Sequence, residues 1–369
     1  MSTYLKRYKL SLTIIGPMHI GSGEILGKKD YIFDRKTESI FYPSMHELFA
    51  QIKKKGLVEK YERFLLDRHG DLFRFLKENK ISFRNWAGGA IAIHGGTDNR
   101  FNQIHLFVKD AYNQPYVPGS SIKGALRTVL LCQEARKDKN LFSPPVIKNM
   151  RRKELLQILR KEAKVIEQNM LYVLDRAKKG DALNDIMTAF RFSDSEPIIR
   201  ESLTICRKYD AQPKTKNRQY RMQPKGLPTY RECLKPGTKI NFYLTIDTSL
   251  LKDTPYEGFS VGDFRNILDN FNYDYDREFR DYFKNIGPNR PNTLYLGGGT
   301  GFLSKTILLG LLDSDDLLDF TADYLDICFP KHKHQEDKRL GVSPRTLKLT
   351  KYDGKFYEMG KCAFKVEEM

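Results

Sequence analysis

Residues 116 to 131, YVPGSSIKGALRTVLL, admit one local structure: an extended Tyr-Val-Pro lead-in, a helix start at Gly119, Ser120 and Ser121, and an amphipathic helix beyond. Small and capping residues mark such a start, where the first amides of a helix have no partner within it. At helical spacing Ile122, Ala125, Leu126, Val129 and Leu130 share an apolar face, while Ser120, Lys123, Gly124 and Arg127 share the opposite one. Lys123 and Arg127 stand at i and i+4, and Gly124 between them leaves room for a close backbone approach. Free amides, the positive end of the helix dipole and two cations together describe a seat for a phosphodiester backbone. An ordinary amphipathic helix with a solvated basic face carries the same pattern, so charge has to decide between them.

The chain holds 63 Lys and Arg against 46 Asp and Glu, a net charge of +17. That imbalance favours a polyanionic partner, nucleic acid first, and disfavours a free-standing metabolic enzyme. A membrane surface is the competitor. The longest clean apolar run, 307 to 312, is interrupted by Gly310 and falls far short of the roughly 20 residues that span a bilayer. The N-terminal charges and short apolar run lack a small-residue cleavage site and read as a first strand. Five scattered cysteines, 132, 206, 233, 328 and 362, contain no CxxC pair, so neither a zinc site nor a disulfide framework is expected, and a reducing cytoplasm fits. At 369 residues the chain exceeds the roughly 250 to 300 over which one core keeps growing, which predicts subdomains or large insertions.

Strands and helices alternate without a regular βα repeat. Lys9 to Ile15 alternates as a strand, GPMHIGSGE follows as a glycine loop, and residues 30–34 with 39–42 suggest a hairpin. Residues 44–80 read as helical, with Leu48, Ile52, Leu57, Phe64, Leu65, Leu72, Phe75 and Leu76 as the apolar set. A second helical region, 148–178, keeps Leu155, Ile158, Leu159, Ile166, Met170, Val173 and Leu174 at a period near 3.6. Strands return at 189–193, 203–206 and 239–246.

Between the last two strands, residues 207–225 hold seven basic residues and one acid, with Tyr209 and Tyr220 interleaved. A long loop or extended hairpin of this charge repels itself without a polyanion; Lys214, Lys216, Arg218, Arg221 and Lys225 can pair with phosphates, and the tyrosines can stack on bases. Downstream, LGGGTGFLSKT carries Gly297, Gly298, Gly299 and Gly301 after a short strand. It fails as a Walker A loop, because Ser304 stands where the second glycine must be, yet consecutive glycines can still form an anion-binding nest.

GPMHIGSG, YVPGSSIKGALRT and LGGGTGFLSKT, with FRFSDSE and GLPTYRECLKPGTKINFYLTID between them, resemble in order and spacing the motifs of the RAMP superfamily of CRISPR effector subunits. With GVSPRTLKLT and YEMGKCAF near the end, the likeness is greatest to the fifth-subunit family of type III-A Csm complexes. The resemblance implies an α+β fold with a ferredoxin-like (RRM-like) βαββαβ core at about 1–43, 104–135, 186–206, 229–250 and 290–369. It implies helical insertions at 44–103 and 138–185, a protruding basic thumb at 207–228 and a smaller insertion at 251–289.

It further implies a non-catalytic crRNA-binding subunit, without cofactor or metal, that caps the backbone filament at the crRNA 3′ end beside other Csm subunits. Such a subunit takes part in crRNA maturation, alongside host nucleases that trim the crRNA. By this likeness His19, Gly21, Ser22, Gly23, Ser120, Ser121, Lys123, Arg127, Gly297, Gly298, Gly299, Thr300, Gly301 and Lys305 are expected to line the crRNA. Lys214, Lys216, Arg218, Tyr220 and Arg221 would lie over the crRNA and its target RNA. The rival is a metal-dependent RNA endonuclease of the same superfamily, for which Glu24, Asp30, Asp34, His94, His332 and His334 are the available groups. A membrane-surface scaffold using the basic helix at 148–178 is the third reading, weakened by the lack of an aromatic-rich apolar face.

Overall fold

A computed structural model describes residues 4–98, 101–147, 150–213, 224–283 and 289–369. Its strands in chain order are β1 (Leu5–Ile14), β2 (Gly21–Leu26), β3 (Ile32–Asp34), β4 (Ser39–Phe41), β5 (Ile91–His94), β6 (Ile104–Phe107), β7 (Phe190–Phe192), β8 (Leu203–Ala211), β9 (Lys225–Leu234), β10 (Lys239–Asp247), β11 (Thr293–Tyr295), β12 (Leu347–Tyr352), β13 (Lys355–Glu358) and β14 (Lys361–Glu368). The α-helices are α1 (Met45–Lys54), α2 (Val58–Leu66), α3 (Leu72–Glu78), α4 (Gly119–Ala135), α5 (Arg152–Leu171), α6 (Val261–Glu278), α7 (Leu308–Leu311), α8 (Ser314–Cys328) and α9 (Asp337–Leu340).

One sheet has five strands in the order β11-β14-β1-β10-β7, all antiparallel. Its centre follows from β1, where Tyr8, Leu10, Leu12 and Ile14 are buried while Lys9, Ser11 and Thr13 remain partly exposed, the period-two pattern of a strand covered on one face. Leu10 pairs with Phe242 and Val366, and Leu12 with Ile240 and Phe364. The covering layer is helical: Ile122, Leu126 and Leu130 of α4 and Phe264, Leu268 and Phe271 of α6 join these strand residues in one apolar core. Each such buried side chain contributes about 1.5–3 kcal/mol relative to exposure.

The second sheet runs β2-β6-β9-β8-β5-β4-β3, with β12 paired to the outer half of β8 and β13 paired to β12. It is mixed, since β5 with β8 and β6 with β9 are parallel. Strand β8 continues past the expected end at Cys206 to Ala211, and β9 returns from Lys225, so the basic segment begins and ends as an antiparallel hairpin.

The region expected to be helical over 44–80 forms three short helices. Gly56, at φ +64°, ends the first, and Asp71 caps the third by accepting the Arg74 amide at 3.1 Å. That break resets the helical phase, and Leu65, expected in the apolar set, is 47% exposed. Leu48, Ile52, Leu72, Phe75 and Leu76 form a separate small core with Ile32 and Phe41. Helix α5 also ends sooner than the periodicity suggests, at Leu171, leaving Val173 and Leu174 beyond it. All five cysteines are free and buried. Among the described residues no helix is long and apolar enough to cross a membrane.

Candidate nucleic-acid interface

The two glycine loops of the sequence meet. Strand β11 leads through Leu296 into Gly297, Gly299 and Gly301, at φ +84°, +88° and +102°, a left-handed path that only glycine follows without strain. The Gly298 amide donates to the His19 carbonyl oxygen at 2.6 Å, and a Cβ on Gly297 would overlap that same oxygen. Lys305 closes the turn by donating to the Gly297 carbonyl. From the other side the Leu296 amide donates to the Gly360 carbonyl at 2.9 Å, and the Gly360 amide to Pro17 at 2.9 Å. Residues 17–19, 296–298 and 360 are thereby locked together at the backbone level.

His19 is the post between them. It is 5% exposed, its ring lies edge-on to Phe107, and its Nδ1 is 2.7 Å from the Glu232 carbonyl. Burial, with Arg231 and His105 nearby, lowers its pKa to about 4 against the contribution of that hydrogen bond. A carbonyl only accepts, so the neutral ring carries its proton on Nδ1 and leaves Nε2 as an acceptor turned toward Gly21. Gly21, Ser22 and Gly23 open the exposed edge strand β2, with the Ser22 hydroxyl accepting from the Glu24 amide at 3.1 Å.

The helix start at 119–121 is built differently from its expectation. Pro118, not a serine, occupies the capping position, and no side chain caps it from there. The Gly119 amide instead donates to the Asp194 carboxylate at 2.8 Å, and a Cβ at Gly119 would overlap the carbonyls of Phe192 and Ser193. One amide of the anticipated anion seat therefore already holds a carboxylate of this chain. Ser120 is exposed and Ser121 half-buried. Along the helix, Arg127 pairs with Glu167 of α5 and with Asp185, at 2.5 Å each, so two carboxylates balance its charge. Lys123 is half-buried and makes no ion pair among the described residues; loss of water lowers its pKa, partly offset by Asp185. Beside it, Gly124 faces open space.

Three cations that the sequence did not single out, Arg231, Lys208 and Lys348, form a second set. Arg231 on β9 lies opposite His105 of β6 and Cys206 of β8, and its Nη1 stands 3.0 Å from where a Cβ on Gly299 would be. Lys208 pairs across β8–β12 with Thr350, and the Lys348 side chain reaches Gly301. One basic row thus crosses β9, β8 and β12 under the C-terminal glycine turn. The available sequence signal was alternation: Arg231 and Cys233 share a face of β9, and Cys206 and Lys208 a face of β8. Lys214, Lys216, Arg218, Tyr220 and Arg221 lie outside the described residues.

Four of the groups considered for cleavage are engaged in structure. Asp34 is buried against Arg84 at 2.5 Å, Asp30 accepts the Gly27 amide at 2.8 Å, and His94 Nδ1 accepts the Asp353 amide at 3.2 Å. His334 Nδ1 lies 2.8 Å from the buried Asp337. Among the described residues no group of three or more His, Cys, Asp or Glu comes together as a metal site.

Two mixed and antiparallel sheets joined by interlocked glycine loops define a class: residues 11–304 match the RAMP superfamily, and the chain belongs to it. It is 32% identical to "CRISPR system Cms protein Csm5" of Mycobacterium tuberculosis over 99% of both chains, and 28% identical to the Streptococcus thermophilus protein of that name over 100% of this chain and 99% of that one. Within the superfamily, that full-length identity places the chain in the Csm5 family. Its fold is shared with one chain of a cryo-EM structure of a Csm-crRNA-target RNA ternary complex in a type III-A CRISPR-Cas system, at TM-score 0.63 and 19% identity over 97% of this chain and 100% of that one. A crystal structure of T. onnurineus Csm5 matches at TM-score 0.57 and 17% identity, over 96% and 99% of the two chains.

Proposed function

We propose that this chain is a non-catalytic crRNA-binding subunit of a type III-A CRISPR (Csm) ribonucleoprotein that serves antiviral defence. In this reading it caps the backbone filament at the crRNA 3′ end and takes part in crRNA maturation, with neighbouring Csm subunits, target RNA and trimming host nucleases as partners. The observation that carries it is the interlock of the Gly297–Gly301 turn with the 17–23 loop, which places a half-buried glycine backbone beside Arg231, a cation without an ion pair among the described residues. Amides and cations read phosphate and shape rather than base identity, as a subunit serving many different guides requires.

The strand order supports taking β1, α4, β7, β10, α6 and β14 as a ferredoxin-like core, with α6 as its second helix rather than part of an insertion at 251–289, because they follow βαββαβ in sequence and lie 4-1-3-2 in the sheet. The β8–β9 hairpin is then the root of the thumb, and the 207–228 segment would lie over crRNA and target. His19 positions the loops in this scheme, and Arg127 holds α4 against α5 while Lys123 faces the RNA.

A titration of single-stranded RNA against the purified chain at several salt concentrations, with magnesium present, tests the reading. Binding should weaken with a log–log slope of roughly −0.7 per phosphate bound, and the RNA should run intact on a denaturing gel. Discrete magnesium-dependent fragments would support a nuclease instead, and no binding at low salt would remove RNA as the partner.

A further inference from the structure

Among the described residues Arg231 and Lys208 are half-buried cations that make no ion pair with a carboxylate, although Asp210 lies near enough to Lys208 to act on its charge. The hydrogen-bond contact of Arg231 Nη1 among the described residues is the Met359 sulfur, at 3.9 Å, and the charged or titratable groups around it include Cys233, Lys208, His19 and His105. Lys208 has Lys348 and Arg231 as neighbours, and the one acid in the group, Asp210, is held by Lys348 at 3.0 Å from both carboxylate oxygens. No residue outside the described set is an aspartate or glutamate, so the chain has no further carboxylate to bring to them. Desolvated charges left unpaired are costly, and loss of water pulls both groups below their ordinary pKa ranges. Gly299, which has no side chain, lies against the Arg231 guanidinium, and Gly301 against the Lys348 side chain next to Lys208, while Thr300 between them is buried.

We propose that Arg231 and Lys208, beneath the Gly299–Gly301 turn, form a seat for a backbone phosphate of single-stranded RNA. This rests on the crRNA-binding reading and assigns to it two residues that the sequence did not single out, although both lie in stretches it drew attention to. The planar guanidinium grips two phosphate oxygens and the ammonium meets a third or the next phosphate, which supplies from outside the counter-charge that the fold withholds. Lys348 is paired with Asp210, so that carboxylate is shared and does not fully offset the charge of Lys208.

The test compares the full chain with the Arg231→Gln, Lys208→Gln double variant, using labelled oligouridine as probe over a salt series, with melting temperatures of both free proteins. The variant is expected to bind about tenfold more weakly or worse. Its salt slope should flatten by about 0.7 for each phosphate the variant no longer holds, and it should melt no lower than the unaltered chain. Unchanged affinity and slope would overturn the seat while leaving RNA binding by the chain intact. A variant that melts far below the unaltered chain would also overturn it, by making the pair structural. If inorganic phosphate raises the melting temperature as much as oligouridine at equal phosphate concentration, the seat belongs to a free anion and the RNA assignment falls. Absence of oligouridine binding by the unaltered chain at low salt is a different result, since it defeats the crRNA reading itself.

Discussion

His19 shows how one residue converts position into stability. Its ring is buried and its pKa is lowered to about 4, whereas an unfolded chain holds histidine near 6.5. Between those values the unfolded state binds the extra proton, so stability rises with pH across the window. The contribution is fully present above about 6.5 and is lost as pH falls toward 4. The loss amounts to roughly 3 kcal/mol, against a background from other groups that a mutant cancels. Denaturant melts at pH 4 to 7 should therefore show the unaltered chain losing more than His19→Gln over that interval, and parallel profiles would contradict the burial argument. The same residue was readable in sequence as part of a glycine loop. That it is a buried post with an assigned tautomer depends on Glu232 of β9, far away in the chain.

At the scale of elements, the β8–β9 hairpin links the basic segment to the sheet. Its pairing runs out to Asp210 opposite Lys225, and β12 adds to the far edge of β8 through Leu347 opposite Ala211. The strands thus have partners independent of the basic residues beyond Ala211. Replacing Lys214, Lys216, Arg218 and Arg221 with Gln should leave the melting temperature unchanged while flattening the RNA salt slope by up to about 0.7 per residue. A lower melting temperature with an unchanged slope would assign these residues to folding. Helix α4 gives the complementary lesson. Its apolar face was legible from spacing alone, because 3.6-residue periodicity is local. Its basic face was legible as charge but not as availability, since Glu167 and Asp185 come to Arg127 from elsewhere in the fold.

The whole molecule divides its apolar residues unequally. One core runs through both sheets, from Leu10 and Phe242 to Ile205 and Tyr230. The cluster of α1–α3 is separate, and several of its neighbours, such as Met45, Phe49 and Leu66, are exposed. A smaller buried apolar cluster means a lower free energy of local opening. Native-state hydrogen exchange should release the amides of α1–α3 at lower denaturant than those of β1 and β10. A single common opening energy for both regions would show that the small core is coupled to the large one.

By itself the sequence determined the charge balance, the periodic faces of β1, α4 and α5, and the glycine-rich loops, because each is encoded by composition or by neighbours within a few residues. Only the tertiary structure decided which loop meets which, that Asp194 occupies the start of α4, and that Arg127 is ion-paired while, among the described residues, Arg231 and Lys208 are not. Those outcomes turn on whether a carboxylate from a distant segment arrives within hydrogen-bonding reach. Such an arrival is a property of strand order and register, which local periodicity does not specify.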